Sequence, residues 1–138
     1  SCGVPVVTEG PLPEAPPAGY VLVCGGVEPE VQVTATLADW LRGQWRRGRV
    51  VGGLCTGAYA LARAGILKGR RFTLHWENLG GFTETFPDLT PARQDGRIED
   101  RIVSCAGGVA AAVVLVAAAG ASLGGDRHGA CCSGSAVA

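Results

Sequence analysis

Short apolar runs, each stopped by glycine or by charged residues, recur along the chain. Tyr20–Cys24 is continuously apolar and is followed by Gly25 and Gly26, a pattern typical of a buried parallel strand that ends in a glycine turn. The same reasoning predicts further strands over residues 49–54 and 72–74, and two short strands within 96–105 on either side of Glu99 and Asp100.

Between these runs, apolar residues recur at helical spacing. Pro29 is suited to a first helical turn, and a helix is predicted from it to Gly48 with an apolar face formed by Val33, Leu37, Trp40 and Leu41. Shorter helices are predicted over 56–64 and 76–86. Strands that alternate with helices predict an α/β fold, with a mostly parallel sheet covered by helices on both faces.

The stretch from Ile102 to Gly125 carries no charge and consists mainly of alanine, glycine and valine. We expect a buried core helix here. The length also allows a membrane helix, but glycines interrupt the stretch and strongly apolar residues are few. We therefore predict a domain over 1–125 and a disordered or degenerate tail over 126–138.

Composition narrows the possible functions. The chain has 138 residues, a formal net charge of zero and 47% hydrophobic residues, which predicts one folded domain and argues against a broad basic nucleic-acid-binding surface. No helix-turn-helix pattern is present, so we expect no DNA contact through this segment. The chain begins at Ser1 and has no methionine, from which we expect a piece of a longer protein.

Six cysteines are present, and their spacing matches no zinc-binding pattern, so no metal site is predicted. Cys24 and Cys105 each end an apolar run, where cysteine usually behaves as a small buried hydrophobe. This usage indicates a reduced, cytoplasmic protein.

Cys55 differs from the other cysteines because it stands between a strand and a helix. The sequence Gly52-Gly53-Leu54-Cys55-Thr56-Gly57 has the pattern of a nucleophile elbow, in which small neighbours leave one side chain exposed on a tight turn. The helix start favours a thiolate, and the Thr56 amide would face an oxyanion formed beside the sulfur. Spacing alone leaves open the alternative of a buried cysteine at a strand end.

The segment from Val50 to Glu77, VVGGLCTGAYALARAGILKGRRFTLHWE, resembles the ThiJ/PfpI superfamily within the class I glutamine amidotransferase-like fold. It is most similar to the ligand-sensing half of AraC-type transcriptional regulators, which carry the cysteine-threonine-glycine elbow, an alanine-rich helix, Gly-Arg-Arg and His-Trp in this order. The related isonitrile hydratases share much of it. Gly25-Gly26 and Cys105-Ala106-Gly107-Gly108 match further turns of the family.

The resemblance implies a three-layer sandwich with a flavodoxin-like sheet that lacks the family's first strand and helix. It places Cys55 at the nucleophile position and His75 beside it. An oxyanion or ligand would then be bound by backbone groups of Gly25, Gly26, Thr56 and Gly57. The enzymes' acidic partner lies upstream of the segment that matches Ser1, and no carboxylate here is assigned its role. The resemblance implies no cofactor.

Two functions compete on this basis. The first is a ligand-sensing or dimerisation domain of an AraC-type regulator, which binds a small metabolite near Cys55, forms a homodimer and contacts neither DNA nor membrane through this segment. The second is a cysteine-dependent enzyme of the isonitrile hydratase, amidase or amidotransferase type. A non-functional remnant is a third reading. The missing acidic partner favours the first.

Overall fold

A computed structural model of the chain describes residues 10–14, 19–93, 96–113, 116 and 131–132. The strands are β1 Tyr20–Cys24, β2 Val50–Leu54, β3 Gly96–Glu99, β4 Ile102–Cys105 and β5 Cys131–Cys132. The helices are α1 Pro29–Gln32, α2 Ala35–Arg46, α3 Ala58–Arg63 and α4 Leu79–Thr85, with 3-10 turns at Cys55–Gly57 and Trp76–Asn78. Residues 109–113 are also helical.

The strands form a single sheet in the order β1-β2-β4-β3-β5. β1, β2 and β4 pair in parallel, whereas β3 runs antiparallel to both of its neighbours. Four of the five strands therefore point the same way, which confirms the mostly parallel α/β fold. β3 and β4 form a hairpin whose two turn residues, Asp100 and Arg101, adopt left-handed backbone angles with φ of 47° and 63°.

Successive strand residues alternate between two apolar layers, one on each face of the sheet. Val51 and Ile102 belong to the larger layer, which α2, α3 and α4 cover with Leu41, Leu61 and Phe82 among its fully buried side chains. Leu54, Val103 and Cys105 belong to the smaller layer, against which Ala110 and Ala111 pack. Helical segments thus cover both faces, as a three-layer sandwich requires.

The helix predicted from Pro29 to Gly48 is two helices, so that prediction is wrong at one place. Val33 ends α1 with extended backbone angles, and the hydroxyl of Thr34 accepts a hydrogen bond of 3.2 Å from the amide of Leu37. Thr34 is therefore the N-cap of α2, and a capping threonine begins a new helix rather than continuing the old one. The predicted helices over 56–64 and 76–86 are present as α3 and α4, each preceded by a 3-10 turn.

The strand predicted over 72–74 is not formed. The amide of Thr73 donates to Oγ of Ser104 at 2.9 Å, and the carbonyl of Phe72 accepts from the amide of Ala92 at 2.8 Å. The backbone is thus bonded to one side chain and one loop, and it does not enter the ladder of a neighbouring strand.

Part of the helix predicted for the tail is present, since residues 109–113 are helical and Ala110 and Ala111 pack against the smaller layer, but the helix is not fully buried. Val109, Val113 and Val116 are 83%, 48% and 74% exposed. None of the helices in the described ranges combines the length and apolar character needed to cross a bilayer. Cys131 and Cys132 pair with β3, whereas the remaining residues of the predicted tail, 126–138, lie outside the described part.

Candidate functional site

Cys55 directly follows β2 and has a left-handed backbone, with φ of 58°. This conformation costs a non-glycine residue about 1–3 kcal/mol and is kept only where the surroundings enforce it. The thiol is partly exposed rather than buried at a strand end. The geometry is that of the nucleophile elbow predicted from Gly52–Gly57.

The elbow packs against the end of β1. A Cβ placed on Gly25 would lie 2.2 Å from Oγ1 of Thr56, so no larger residue fits there. The Thr56 hydroxyl donates to the carbonyl of Gly26 at 2.8 Å, and the Gly25 amide donates to the carbonyl of Leu54 at 3.2 Å. Gly25, Gly26, Thr56 and Gly57 are therefore brought together beside Cys55.

The amides of Gly25 and Gly26 differ in what they can offer a ligand. Gly25 uses its N–H in the bond to Leu54, and it acts as a spacer for close packing. Within the described part of the chain, nothing accepts a hydrogen bond from the Gly26 N–H. Of the two glycines, Gly26 is thus the one whose amide remains for an oxyanion or a ligand.

Gly107 lies close to the side chains of both Cys55 and His75. Its φ is 104°, and a Cβ on it would stand 3.3 Å from Sγ of Cys55 and 3.6 Å from Cδ2 of His75. The thiol and the imidazole therefore approach the same glycine, although no hydrogen bond joins them in the part of the chain described. We call the group formed by Cys55, His75 and Gly107 the Cys55 site.

The His75 ring is held by its two sequence neighbours. Nδ1 accepts a hydrogen bond of 3.4 Å from the Glu77 amide and lies 3.7 Å from Oε2 of Glu77. Trp76 stacks on the ring with centroids 5.6 Å apart, and its indole is 69% exposed. Glu77 is a carboxylate beside His75 that the sequence pattern did not identify, although its position two residues after His75 was the available signal.

Three cysteines lie at the carboxyl ends of the adjacent strands β1, β2 and β4. Burial raises the pKa of the Cys105 thiol, and hydrogen bonds from the backbone of Cys55 and Gly107 oppose this increase in pKa. Cys24 is exposed, so its predicted burial is wrong. The reason is that β1 lies at the edge of the sheet that the structure describes and that Cys24 is its last residue.

This arrangement brings a partly exposed thiol and an imidazole close to the same glycine. No carboxylate of the described residues contacts the Cys55 thiol by a hydrogen bond or ion pair, and Glu77 contacts His75 instead. The described ranges contain no group of three or more His, Cys, Asp or Glu side chains suited to a metal ion.

Comparison with known proteins gives one family over most of the chain. The DJ-1/PfpI family model matches residues 4–117. The HTH-type transcriptional regulator CdhR of Pseudomonas aeruginosa is 39% identical over 110 residues, which are 80% of this chain and 33% of the relative. An isonitrile hydratase of Pseudomonas putida is 36% identical over 78 residues, or 56% of this chain and 30% of that enzyme.

A solved structure agrees with this result. The crystal structure of an AraC family transcriptional regulator from Pseudomonas putida superposes with a TM-score of 0.66 at 25% identity. The match covers 78% of this chain and 57% of that one. The chain thus spans about a third of the length of the curated relatives and about half of this structural neighbour.

Proposed function

The chain belongs to the DJ-1/PfpI family, and we propose that it is the small-molecule-sensing domain of an AraC-type transcriptional regulator. The observation that carries this proposal is the extent of the similarity to regulators. It covers 80% of the chain for CdhR, and a regulator of the AraC family shares the fold at 25% identity. The zero net charge of the chain supports a role in which this domain does not itself contact DNA.

In this proposal the ligand binds at the Cys55 site. A partly exposed thiol, an imidazole in contact with Glu77 and the Gly26 amide, whose N–H donates to no residue that the structure describes, supply polar contacts there. The exposed indole of Trp76 stands next to His75 and supplies an apolar surface. Small-molecule sites typically combine apolar walls with a few fixed polar groups, which is the mixture found here.

We propose further that the domain forms a homodimer through the helical segment that begins at residue 109. Val109, Val113 and Val116 follow the i, i+4, i+7 spacing of a single helix face, and all three are exposed. A second copy is the simplest partner for a self-complementary apolar face. Val113→Glu is expected to shift the chain to monomer in size-exclusion chromatography, whereas Val31→Glu, at an equally apolar exposed position on α1, is expected to leave the elution volume unchanged.

A cysteine-dependent enzyme is the second candidate, and the backbone of Cys55 favours it. A strained left-handed elbow is the geometry that exposes a catalytic nucleophile, and the chain resembles an isonitrile hydratase over 56% of its length. Among the residues that the structure describes, no carboxylate is bonded to Cys55, which weighs against turnover.

A ligand screen separates the two candidates. The full chain would be mixed with a panel of small metabolites, and its melting temperature would be recorded by differential scanning fluorimetry. Sensing predicts a metabolite that raises the melting temperature in proportion to the logarithm of its concentration and is recovered unchanged. Chemical conversion of that metabolite, abolished in Cys55→Ala, would replace sensing with catalysis.

A further inference from the structure

A second concave surface, separate from the Cys55 site, is lined by three arginines. Arg70, Arg71 and Arg97 surround a cleft of about 470 Å³, a volume within the range of small-molecule sites. Asp88, Leu89 and Pro91 also line this cleft. We call the surface formed by these three residues and the three arginines the arginine cleft. Arg70 and Arg71 belong to the Gly-Arg-Arg sequence, to which the proposed sensing function gives no role.

Arg70 is fixed in place before any ligand arrives. Its Nε donates to Oδ2 of Asp100 at 3.1 Å, and its Nη1 donates to the carbonyls of Ile66 and Lys68, each at 3.2 Å. The guanidinium also lies 4.7 Å from the centre of the Trp45 ring. Its Nη2 takes part in no hydrogen bond with a residue that the structure describes. A guanidinium ordered by its neighbours loses little conformational entropy when it binds an anion.

The three arginines of the cleft differ in their ion pairs. Arg70 is paired with Asp100 and Arg97 with Glu99, whereas Arg71 forms no ion pair with a residue that the structure describes and shares the lining with Asp88. Arg71 is exposed, and Arg97 is held in position by Glu99. Leu89 and Pro91 are partly buried and give the cleft an apolar wall. This combination suits an anion that carries an apolar body.

The arginine cleft extends along β4 and is made of residues other than those of the Cys55 site. The Arg70–Asp100 ion pair lies next to the amino end of β4, whereas Cys55 follows the carboxyl end of β2. Arg97 lies nearer the carboxyl end of β4, because it pairs with Ser104 in the β3–β4 ladder. The cleft and the Cys55 site share no residue.

We propose that the arginine cleft binds a small organic anion, a carboxylate or phosphate ester, whose charged group pairs with Arg70 and Arg71 while its apolar part lies against Leu89 and Pro91. Arginine forms paired, charge-assisted hydrogen bonds with both kinds of anion. The proposal does not depend on what the Cys55 site binds.

Three probes test the proposal by titration calorimetry of the full chain at constant ionic strength. Phenyl phosphate carries both features, inorganic phosphate carries the charge alone, and phenol carries the ring alone. We expect phenyl phosphate to bind more tightly than phosphate and phenol to show no binding. Arg71→Gln is expected to weaken the binding of phenyl phosphate about tenfold, because a hydrogen bond to a charged group is lost. The matched control, Arg46→Gln, removes the same charge from an exposed position outside the cleft and is expected to leave binding unchanged.

Asp88→Asn supplies a test of opposite sign, which remains valid if Arg71→Gln does not fold. Removing the negative charge of Asp88 should increase the affinity for phenyl phosphate several-fold. Absence of binding by both phosphates, equal binding by Arg71→Gln and the unaltered chain, or weaker binding by Asp88→Asn would each overturn the proposal. So would binding of a short DNA duplex that depends on Arg71 while phenyl phosphate fails to bind, because the cleft would then be a nucleic-acid contact.

Discussion

The hydroxyl of Thr56 donates a hydrogen bond of 2.8 Å to the carbonyl of Gly26, and this contact links the cysteine elbow to the loop after β1. Thr56 is buried and follows Cys55 directly, so the bond holds the elbow and the neighbouring glycine loop at one separation. The Gly26 amide and the Cys55 thiol can act on one ligand only if that separation is kept. The bond is therefore part of the site as well as of the fold.

Replacing Thr56 with valine keeps the shape of the side chain and removes its donor. We expect the free energy of unfolding to fall by about 1 kcal/mol, the usual net value of one hydrogen bond, as measured by urea denaturation. Thr83→Val is the control, since the Thr83 hydroxyl bonds the Leu79 carbonyl at an exposed helical position and its loss should cost less than about 0.5 kcal/mol. Equal stability of the two variants would show that the Thr56 bond does not hold the elbow.

Ser104→Ala should be more destabilising than Thr56→Val. Oγ of Ser104 is buried and accepts a hydrogen bond from the amide of Thr73. Alanine at position 104 would leave that amide without this acceptor in the core. An unsatisfied buried donor costs about 1–3 kcal/mol, which urea denaturation resolves. Thr85→Ala, which removes an exposed hydroxyl, is the control. A Ser104→Ala chain as stable as this control would mean that Thr73 finds another acceptor.

Cys105 gives the fold a dependence on alkaline pH. Burial raises the pKa of its thiol above the ordinary 9.0, so the folded chain keeps a proton that the unfolded chain releases. The unfolded state is then favoured as pH rises from the ordinary pKa through the raised one, and stability is lost there at up to about 1.4 kcal/mol per pH unit. Below about pH 8 this contribution is constant.

The comparison with Cys105→Ala isolates that effect, because Tyr59, whose pKa burial also raises, titrates alike in both chains. We expect the difference in unfolding free energy between the two chains to stay level below about pH 8 and to change in favour of the alanine variant as the pH rises above the ordinary thiol pKa of 9.0. If the difference does not change above about pH 9, Cys105 does not cause a loss of stability at alkaline pH.

The chain should show no appreciable hydrolase, hydratase or amidotransferase turnover. Proton transfer by a positioned acid or base typically contributes about 10²- to 10⁴-fold, and among the described residues only His75, with Glu77 behind it, could supply it. The check is steady-state assay of an isonitrile and an amide with the unaltered chain, Cys55→Ala and His75→Ala. Turnover that both substitutions abolish would establish the enzyme in place of the sensor.

Local pattern was sufficient to predict most of the fold. The apolar runs at Tyr20–Cys24 and Val50–Leu54 identify β1 and β2 because parallel strands are buried on both faces and so lack polar alternation. The β3–β4 hairpin was predictable from its charged turn, although the two turn residues are Asp100 and Arg101 rather than Glu99 and Asp100. At the site, Cys55 was recognisable because small residues surround it at a strand end.

The errors arose where the outcome depends on residues distant in sequence. Phe72–Leu74 has the composition of a strand, but the Thr73 amide donates its hydrogen bond to the side chain of Ser104. Ser104 lies 31 positions further along the chain. Cys24 ends an apolar run, which is typical of a buried residue, and it is exposed because β1 lies at the edge of the described sheet. Likewise, no local signal shows that Gly107 approaches the Cys55 thiol, since that contact is created by the pairing of β2 with β4.

The most direct test of the proposed sensing function is the affinity of the chain for the metabolite that the screen identifies, compared between two adjacent alanine substitutions. Gly107→Ala and Gly108→Ala both place a side chain on a left-handed backbone, with φ of 104° and 59°. Only the first side chain enters the Cys55 site, at 3.3 Å from Sγ, whereas the second meets nothing within 4 Å. We predict that Gly107→Ala weakens binding at least about tenfold while Gly108→Ala binds as the unaltered chain does. Undiminished affinity in Gly107→Ala would place the ligand elsewhere and contradict sensing at Cys55.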